Sequence, residues 1–269
     1  MKLCVFGSSH VASFKLAEAE ISARYPAAKI DFFGAPQPVF SSMKCGADGV
    51  FRPDPELVAA NRQRPRVVAR GLKEINGAAA LDLRRYDAAF LVGRQINMAD
   101  ILRLLADYDV DGFPDRGRDG MMSAAAFDAL ARDVIAANAP DDMANIAKAT
   151  KAFAAVFPAT SAAALDDPAP EFDYLRDLSG DPEALRPALD RVHALIAERF
   201  AELGLRYVRQ RAETAPGGLV TKAEHSVGSR RLAGAGELHD DRDYAHMNET
   251  YARLCFDDFA EAAGLEPGE

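Results

Sequence analysis

The sequence is poor in cysteine, in basic charge and in long apolar runs. Its three cysteines, Cys4, Cys45 and Cys255, are odd in number and lack CxxC spacing, which argues against a disulfide framework or a zinc knuckle. The formal net charge is -9, without a dense block of Lys and Arg. We therefore expect no nucleic-acid partner, because phosphate binding needs a basic face.

No apolar run approaches the length of a membrane helix, about 18 residues. The first apolar run, residues 3–6, is interrupted at once by Gly7, Ser8, Ser9 and His10. It has the length of a strand, whereas a secretion signal needs an apolar stretch of about 7 residues or more. We expect a cytoplasmic protein with no membrane partner, and the sequence predicts no particular oligomeric state.

What the sequence does contain is an alternation of short β-rich segments with longer amphipathic ones. The helical segments carry apolar residues at spacings of three and four, as at Val11, Phe14, Ala17 and Ile21. Strands are predicted at 2–6, 29–33, 88–92, 153–157 and 205–209. Helices are predicted at 11–24, 98–108, 123–138, 142–151, 182–203 and 247–263.

The order of these elements predicts the fold class. A βαβ opening is typical of a parallel sheet with crossover helices, so we expect a three-layer α/β/α sandwich with a mostly parallel, flavodoxin-like sheet of about five strands. No composition shift divides the chain, which predicts one domain over 1–269 with an elaborated middle region. There we predict a long loop, with short strands near 66–69 and 78–83, and further on a surface loop at 161–180.

The first strand leads through Gly7, Ser8, Ser9 and His10 into a helix. A serine at such a turn is exposed at the top of the sheet, beside helix N–H groups that can stabilise an oxyanion. The alternative interpretation is that Ser8 or Ser9 is only the N-cap of the helix.

A second motif follows the last predicted strand, from Asp243 to Asn248. An Asp three residues before a His allows the carboxylate to orient the imidazole within one loop. The imidazole of His246 can then take a proton from a serine hydroxyl. The alternative is that Asp243 and His246 merely begin the last helix as capping and surface residues.

Together the two motifs resemble those of the SGNH/GDSL hydrolase family, which opens with a strand ending in Gly-Asp-Ser and closes with Asp-x-x-His. The resemblance implies Ser9 as nucleophile, His246 as base and Asp243 as the orienting carboxylate. The family's Asp before the serine is Ser8 here.

The resemblance also implies oxyanion donors after the first three strands: the Ser9 N–H, then Gly34, and then a residue after Gly93. Gln95 stands where the family has Asn, and Asn97 is a second candidate, two residues later. The alternative interpretation of Gln95 is a polar loop residue.

Three further features lie near these motifs. His10 could contact substrate or cap the helix, and Arg94 is placed at the mouth of the site, where it could bind a carboxylate or phosphate. His239 and the acidic residues up to His246 are of metal-binding types, but their spacing fits no standard zinc pattern. We therefore expect neither a metal nor another cofactor.

The sequence thus favours a serine hydrolase or O-acyltransferase acting on a small acyl ester or an acylated carbohydrate. The alternative is a non-catalytic relative that binds a sugar or nucleotide-like ligand, favoured by the departures at Ser8 and Gln95. A contact between the side chains of Ser9 and His246 distinguishes the two hypotheses.

Overall fold

A central five-stranded parallel sheet organises the chain, for which the computed structural model describes residues 1–232 and 237–268. Within these ranges the strands are β1 (Lys2–Gly7), β2 (Lys29–Gly34), β3 (Met43–Cys45), β4 (Val50–Pro53), β5 (Leu81–Asp82), β6 (Ala88–Arg94), β7 (Tyr108–Val110), β8 (Gly120–Met122), β9 (Lys151–Val156) and β10 (Arg206–Tyr207). The central sheet has the order β10-β9-β6-β1-β2.

Strand β1 lies between β2 and β6, and its register determines where these two neighbours end. In its parallel register Gly7 pairs with Gly34 on one side and with Val92 on the other. The carboxyl ends of β1, β2 and β6 therefore meet at one edge of the sheet, where ligands bind in open α/β sheets.

Helices cover both faces of this sheet. They are α1 (Val11–Leu16), α2 (Glu18–Arg24), α3 (Gln37–Phe40), α4 (Pro55–Ala60), α5 (Pro65–Asn76), α6 (Met98–Asp107), α7 (Ala124–Asn138), α8 (Ala144–Ala149), α9 (Asp173–Leu178), α10 (Pro182–Glu202) and α11 (Glu249–Ala263).

Successive side chains of β1 point to opposite faces of the sheet, and each set packs into the apolar layer on its own face. Leu3 and Val5 pack with α1, α2 and α11 on one face, while Cys4 and Phe6 pack with α5 to α10 on the other. All four side chains are fully buried, as expected for a strand covered on both faces. The predicted three-layer α/β/α sandwich with a parallel five-stranded sheet is confirmed.

The middle region differs from the prediction. Residues 66–69, predicted as a strand, lie inside α5, where Val68 and Leu72 are buried at a spacing of four. Pro65 in the first turn and Gly77 in the left-handed conformation bound this helix. The strand predicted near 78–83 is only β5, which closes a small antiparallel sheet with β3 and β4.

Two further boundaries differ. The helix predicted at 11–24 is interrupted at Ala17, which separates α1 from α2. The predicted surface loop at 161–180 contains α9 and two 3₁₀ turns. Among the described helices, none combines the length and the apolar character that crossing a membrane would require.

Candidate active site

The turn after β1 places Ser9 at the carboxyl edge of the sheet. Ser8 is fully buried, and its N–H donates to the Val92 carbonyl (3.3 Å). Ser9 is partly exposed. The residue at the N-cap of α1 is His10, and no side chain caps that helix. The interpretation of either serine as a side-chain cap is therefore wrong.

The Ser9 side chain meets a histidine 237 positions further along the chain: its Oγ lies 2.7 Å from Nε2 of His246. Nδ1 of His246 lies 2.9 and 2.8 Å from the two carboxylate oxygens of Asp243. Because Nδ1 faces a carboxylate, it carries the ring proton, and Nε2 is left to accept from the serine hydroxyl.

Asp243 and His246 precede the last helix and do not cap it. The cap of α11 is Asn248, whose Oδ1 accepts from the Tyr251 N–H (3.2 Å). The Asp243 carboxylate instead accepts from its own loop, from the N–H groups of Ala245 (3.1 Å) and His246 (3.0 Å). The loop is therefore folded around this carboxylate.

Two more histidines enclose His246. The ring of His10 stacks on it at 4.7 Å between centroids, and the ring of His239 stacks on it at 4.0 Å. Burial lowers the pKa of His10 to about 3, so this ring is neutral near neutral pH. His10 also packs against Phe157 at 4.3 Å, and it occupies the N-cap position of α1, although its side chain makes no capping hydrogen bond.

The Asp243 carboxylate is shared between two imidazoles, which the sequence analysis missed. Nδ1 of His239 lies 2.8 Å from Oδ2 of Asp243, the oxygen that His246 also contacts. Burial works to raise the pKa of Asp243, but the hydrogen bonds from His239 and His246 hold it well below its ordinary value. The sequence feature that could have indicated this contact is the spacing of four residues between His239 and Asp243.

These three side chains are of types that bind metal ions, and their ligand atoms lie within 4.8 Å of one another. The same atoms hydrogen-bond to each other, Asp243 accepting from His239 and His246. A cation here would have to displace both hydrogen bonds.

The candidate oxyanion donors differ in their availability. The Gly34 N–H donates to Oδ1 of Asn76 (2.8 Å). It could donate to an oxyanion only if this hydrogen bond broke. The Gln95 carbonyl oxygen accepts from the Gln37 amide (3.0 Å), and within the described part of the chain nothing accepts from the Gln95 amide N–H groups. The Asn97 amide donates to Asp100 in the first turn of α6.

The side chain of Arg94 is engaged at the end of α7. Its Nε donates to the carbonyl oxygen of Asn138 at the end of α7, and burial lowers its pKa. The last carbonyls of a helix lack partners within the helix and attract cations. The binding of a carboxylate or phosphate by Arg94 at the mouth of the site stays a prediction.

A buried carboxylate anchors the loop that carries Asp243 and His246. Asp167 accepts from Arg242 at both of its oxygens (2.8 and 2.9 Å) and from the Tyr244 hydroxyl (2.8 Å). The ion pair with Arg242 lowers the pKa of Asp167 to about 2. Arg242 and Tyr244 bind Asp167, while Asp243, the residue between them, binds the two imidazoles.

A cavity of about 740 Å³ lies at the same edge of the sheet, beyond the ends of β6, β9 and β10. Gln95, Asn97, Phe157 and Ala245 line it on the side of Ser9, although Ser9 and His246 do not. On its far side the Nδ1 atom of His193 and the Tyr207 hydroxyl are 2.8 Å apart. Its volume falls within the usual range for small-molecule sites.

No protein-family model matches the chain, and neither does any curated protein. Among solved structures, an acetyl xylan esterase, AlAXEase, is similar over 97% of this chain and 99% of its own, with 12% identity and a TM-score of 0.37. An extracellular lipase from Streptomyces rimosus is similar over 97% of this chain and 100% of its own, with 14% identity and a TM-score of 0.37. Similarity at this level does not assign the activity of either protein to this chain.

Proposed function

We propose that the chain is a serine hydrolase or O-acyltransferase of the SGNH/GDSL type, with Ser9, His246 and Asp243 as its catalytic triad. The observation that carries this proposal is the 2.7 Å separation of Ser9 Oγ and His246 Nε2. A serine hydroxyl is inert without a base. Here the base is held in hydrogen-bonding reach, with a carboxylate behind it.

The reaction starts with transfer of the Ser9 proton to Nε2 of His246, as Oγ bonds to the ester carbonyl carbon. The carbonyl oxygen takes up the electron pair and becomes an oxyanion. When this intermediate collapses, the bond to the alcohol oxygen breaks and that oxygen takes the proton from His246. Water, or another hydroxyl in a transfer reaction, then releases the acyl group from Ser9 by the same proton route.

The transition state places a positive charge on His246, and its surroundings suit that charge. Asp243 provides the opposite charge at 2.8 Å. His10, stacked on one face of the ring, is neutral because burial lowers its pKa to about 3. A charged His10 would oppose proton transfer to His246, so the burial of this ring favours the reaction.

The oxyanion would be held by the Ser9 N–H and the Gln95 amide. Within the described residues no acceptor contacts the Ser9 N–H, and the Gln95 amide N–H groups are likewise not engaged. Each such donor typically contributes about 2.7–4 kcal/mol to transition-state stabilisation.

The substrate class that we propose is a small acyl ester or an acylated carbohydrate. The cavity beside Gln95 would hold the part of the substrate that does not react. Hydrogen-bonding side chains such as those of His193 and Tyr207 stand beside its aromatic and aliphatic walls, a mixture that suits a hydroxylated ligand.

A binding protein without catalysis is the alternative, and one observation favours it: the Gly34 N–H is already engaged by Asn76. A site with fewer free oxyanion donors could bind a sugar or nucleotide-like ligand and leave it intact. The contact between Ser9 and His246 favours the hydrolase.

Turnover of p-nitrophenyl acetate and of an acetylated sugar tests the proposal. We expect activity in the unsubstituted protein and a loss of at least about a thousandfold in Ser9→Ala and in Asp243→Asn. Asp241→Asn is the matched control, since Asp241 is an exposed carboxylate in the same loop. A folded protein that binds an acetylated sugar but never cleaves or transfers its acyl group would support the binding-protein alternative.

A further inference from the structure

We propose that His239 is a positioning residue of the triad, one that fixes both Asp243 and His246 in their reactive arrangement. This inference rests on the proposed function, because it assigns His239 a part in the same site. Its side chain contacts both the carboxylate and the imidazole.

The first line of evidence is the shared carboxylate. Oδ2 of Asp243 lies 2.8 Å from Nδ1 of His239 and 2.8 Å from Nδ1 of His246. Oδ1 accepts from the backbone N–H groups of Ala245 and His246. Both oxygens also lie within hydrogen-bond distance of His246 Nδ1. The backbone donors contact only Oδ1, so His239 supplies the additional hydrogen bond that fixes Oδ2.

The second line of evidence is the stack of three rings. His246 lies between His10, tilted by 19°, and His239, tilted by 11°. The torsion that rotates an imidazole about its Cβ–Cγ bond has broad minima, so the ring orientation must be set by its neighbours. Contact on both faces keeps Nε2 of His246 directed at Ser9, and His239 provides one of the two faces.

The carboxylate of Asp243 hydrogen-bonds to both rings, so His239 competes with His246 for its negative charge. Within the described structure the ionisable groups that contact His246 are Asp243 and His239 from its own loop, and Ser9 and His10 from the turn after β1. Removing the His239 N–H leaves Asp243 to interact with His246 alone. The imidazolium form of His246 is then better stabilised, and activity is lost at a higher pH on acidification.

Two substitutions separate the ring contact from the hydrogen bond. His239→Phe keeps a stacked ring but removes the donor, whereas His239→Asn keeps an N–H donor at the same reach but removes the ring. In His239→Phe we expect the acid limb of the pH profile of kcat/KM to move up by about half a pH unit. In His239→Asn we expect kcat for p-nitrophenyl acetate to fall about tenfold without such a movement, and KM to stay unchanged in both variants.

Leu238→Ala is the control for disturbance of the loop, since Leu238 is the preceding residue and is 56% exposed. It should retain the kcat and the acid limb of the unsubstituted enzyme. All assays are run with EDTA, and a loss of activity on chelation would overturn the proposal in favour of a metal bound by these side chains.

A measurement on the unsubstituted protein avoids any question of whether the variants fold. The ¹⁵N chemical shifts of the imidazole rings report which nitrogen carries the proton. We expect His239 and His246 both to carry it on Nδ1 at neutral pH. A His239 ring protonated on Nε2 alone would overturn the shared-carboxylate arrangement.

The outcomes separate this inference from the proposed function. If the unsubstituted protein cleaves the ester, and both His239 variants keep its kcat and its acid limb, His239 has no positioning role although the hydrolase stands. If both variants lose activity in proportion to the decrease in their melting temperature, and the acid limb does not move, the role of His239 is only structural and the inference is wrong. If the unsubstituted protein shows no turnover, the proposed function fails, and this inference fails with it.

Discussion

At the scale of single residues, the site depends on which of two neighbouring serines faces the edge of the sheet. Ser8 continues the direction of the strand and is fully buried, and a Cβ at Gly93 would lie 2.2 Å from its Oγ. Ser9 turns outward and meets His246. Gly93 adopts a positive φ of 66°, so glycine both makes this turn and leaves space for Ser8.

The first prediction concerns the amide that would hold the oxyanion. Gln95→Ala should lower kcat about a hundredfold or more, because the Gln95 amide N–H groups remain available beside the cavity. Asn97→Ala should change kcat little, since its amide is engaged by Asp100. Steady-state kinetics on one ester measures both, and the reverse ranking would show that the donor was assigned to the wrong residue.

At the scale of elements, loops at the ends of strands assemble the site, and a remote anchor holds the most important of them. The loop that carries Asp243 is attached to Asp167 through Arg242 and Tyr244. Its backbone is tied as well, because the Ser161 N–H donates to the Tyr244 carbonyl (2.8 Å). These contacts alternate along the loop with those of Asp243 and His246.

The second prediction tests this anchor. Asp167→Asn removes the charge that binds Arg242, and we expect kcat to fall on the order of tenfold as the loop loses its fixed position. The free energy of unfolding should fall by about 1–3 kcal/mol. In the control Asp48→Asn, which breaks the exposed ion pair with Arg52, the free energy of unfolding should be nearly unchanged. Unchanged kinetics in Asp167→Asn would show that the loop holds its position without the anchor.

At the scale of the whole molecule, the sequence predicted the central sheet well and the middle region poorly. Strands such as β1 and β6 are buried on both faces, so they appear as short continuous apolar runs. The segment inside α5 has two adjacent valines, Val67 and Val68, of which only Val68 is buried. The β-propensity of valine therefore suggested a strand, and packing against the sheet determined a helix.

The site was only partly predictable for a similar reason. Ser9, Asp243 and His246 belong to short motifs that a sequence displays directly. The contacts of Gly34 with Asn76 and of Arg94 with Asn138 join distant segments, and no local pattern encodes them. His239 lies in the same loop as Asp243, but its hydrogen bond depends on how that loop folds.

The third prediction concerns the stability of the whole fold in acid. Burial lowers the pKa of His10 to about 3 and that of His193 to about 4, from an ordinary 6.5. Between pH 6.5 and 4 the unfolded chain binds protons that the folded chain does not, so the free energy of unfolding falls as the pH falls. Each group contributes at most about 1.4 kcal/mol per pH unit.

Urea unfolding at several pH values measures this slope, and His193→Gln isolates one contribution. The variant should lose stability less steeply than the unsubstituted protein between pH 6.5 and 4, because it lacks one of the histidines whose pKa is lowered by burial. Equal slopes for the two proteins would contradict the interpretation of His193.

The most direct test of the proposed function is to map where a fluorophosphonate probe attaches. The probe should label Ser9, identified by mass spectrometry of the modified peptide, and labelling should be lost in Ser9→Ala and in His246→Ala. Ser8→Ala should keep most of the labelling, because the Ser8 hydroxyl is buried away from the site. Labelling should also fall at low pH, because the reaction requires a base that is able to accept the serine proton. Labelling of another residue, or labelling that survives Ser9→Ala, would contradict the assignment of Ser9 as the nucleophile.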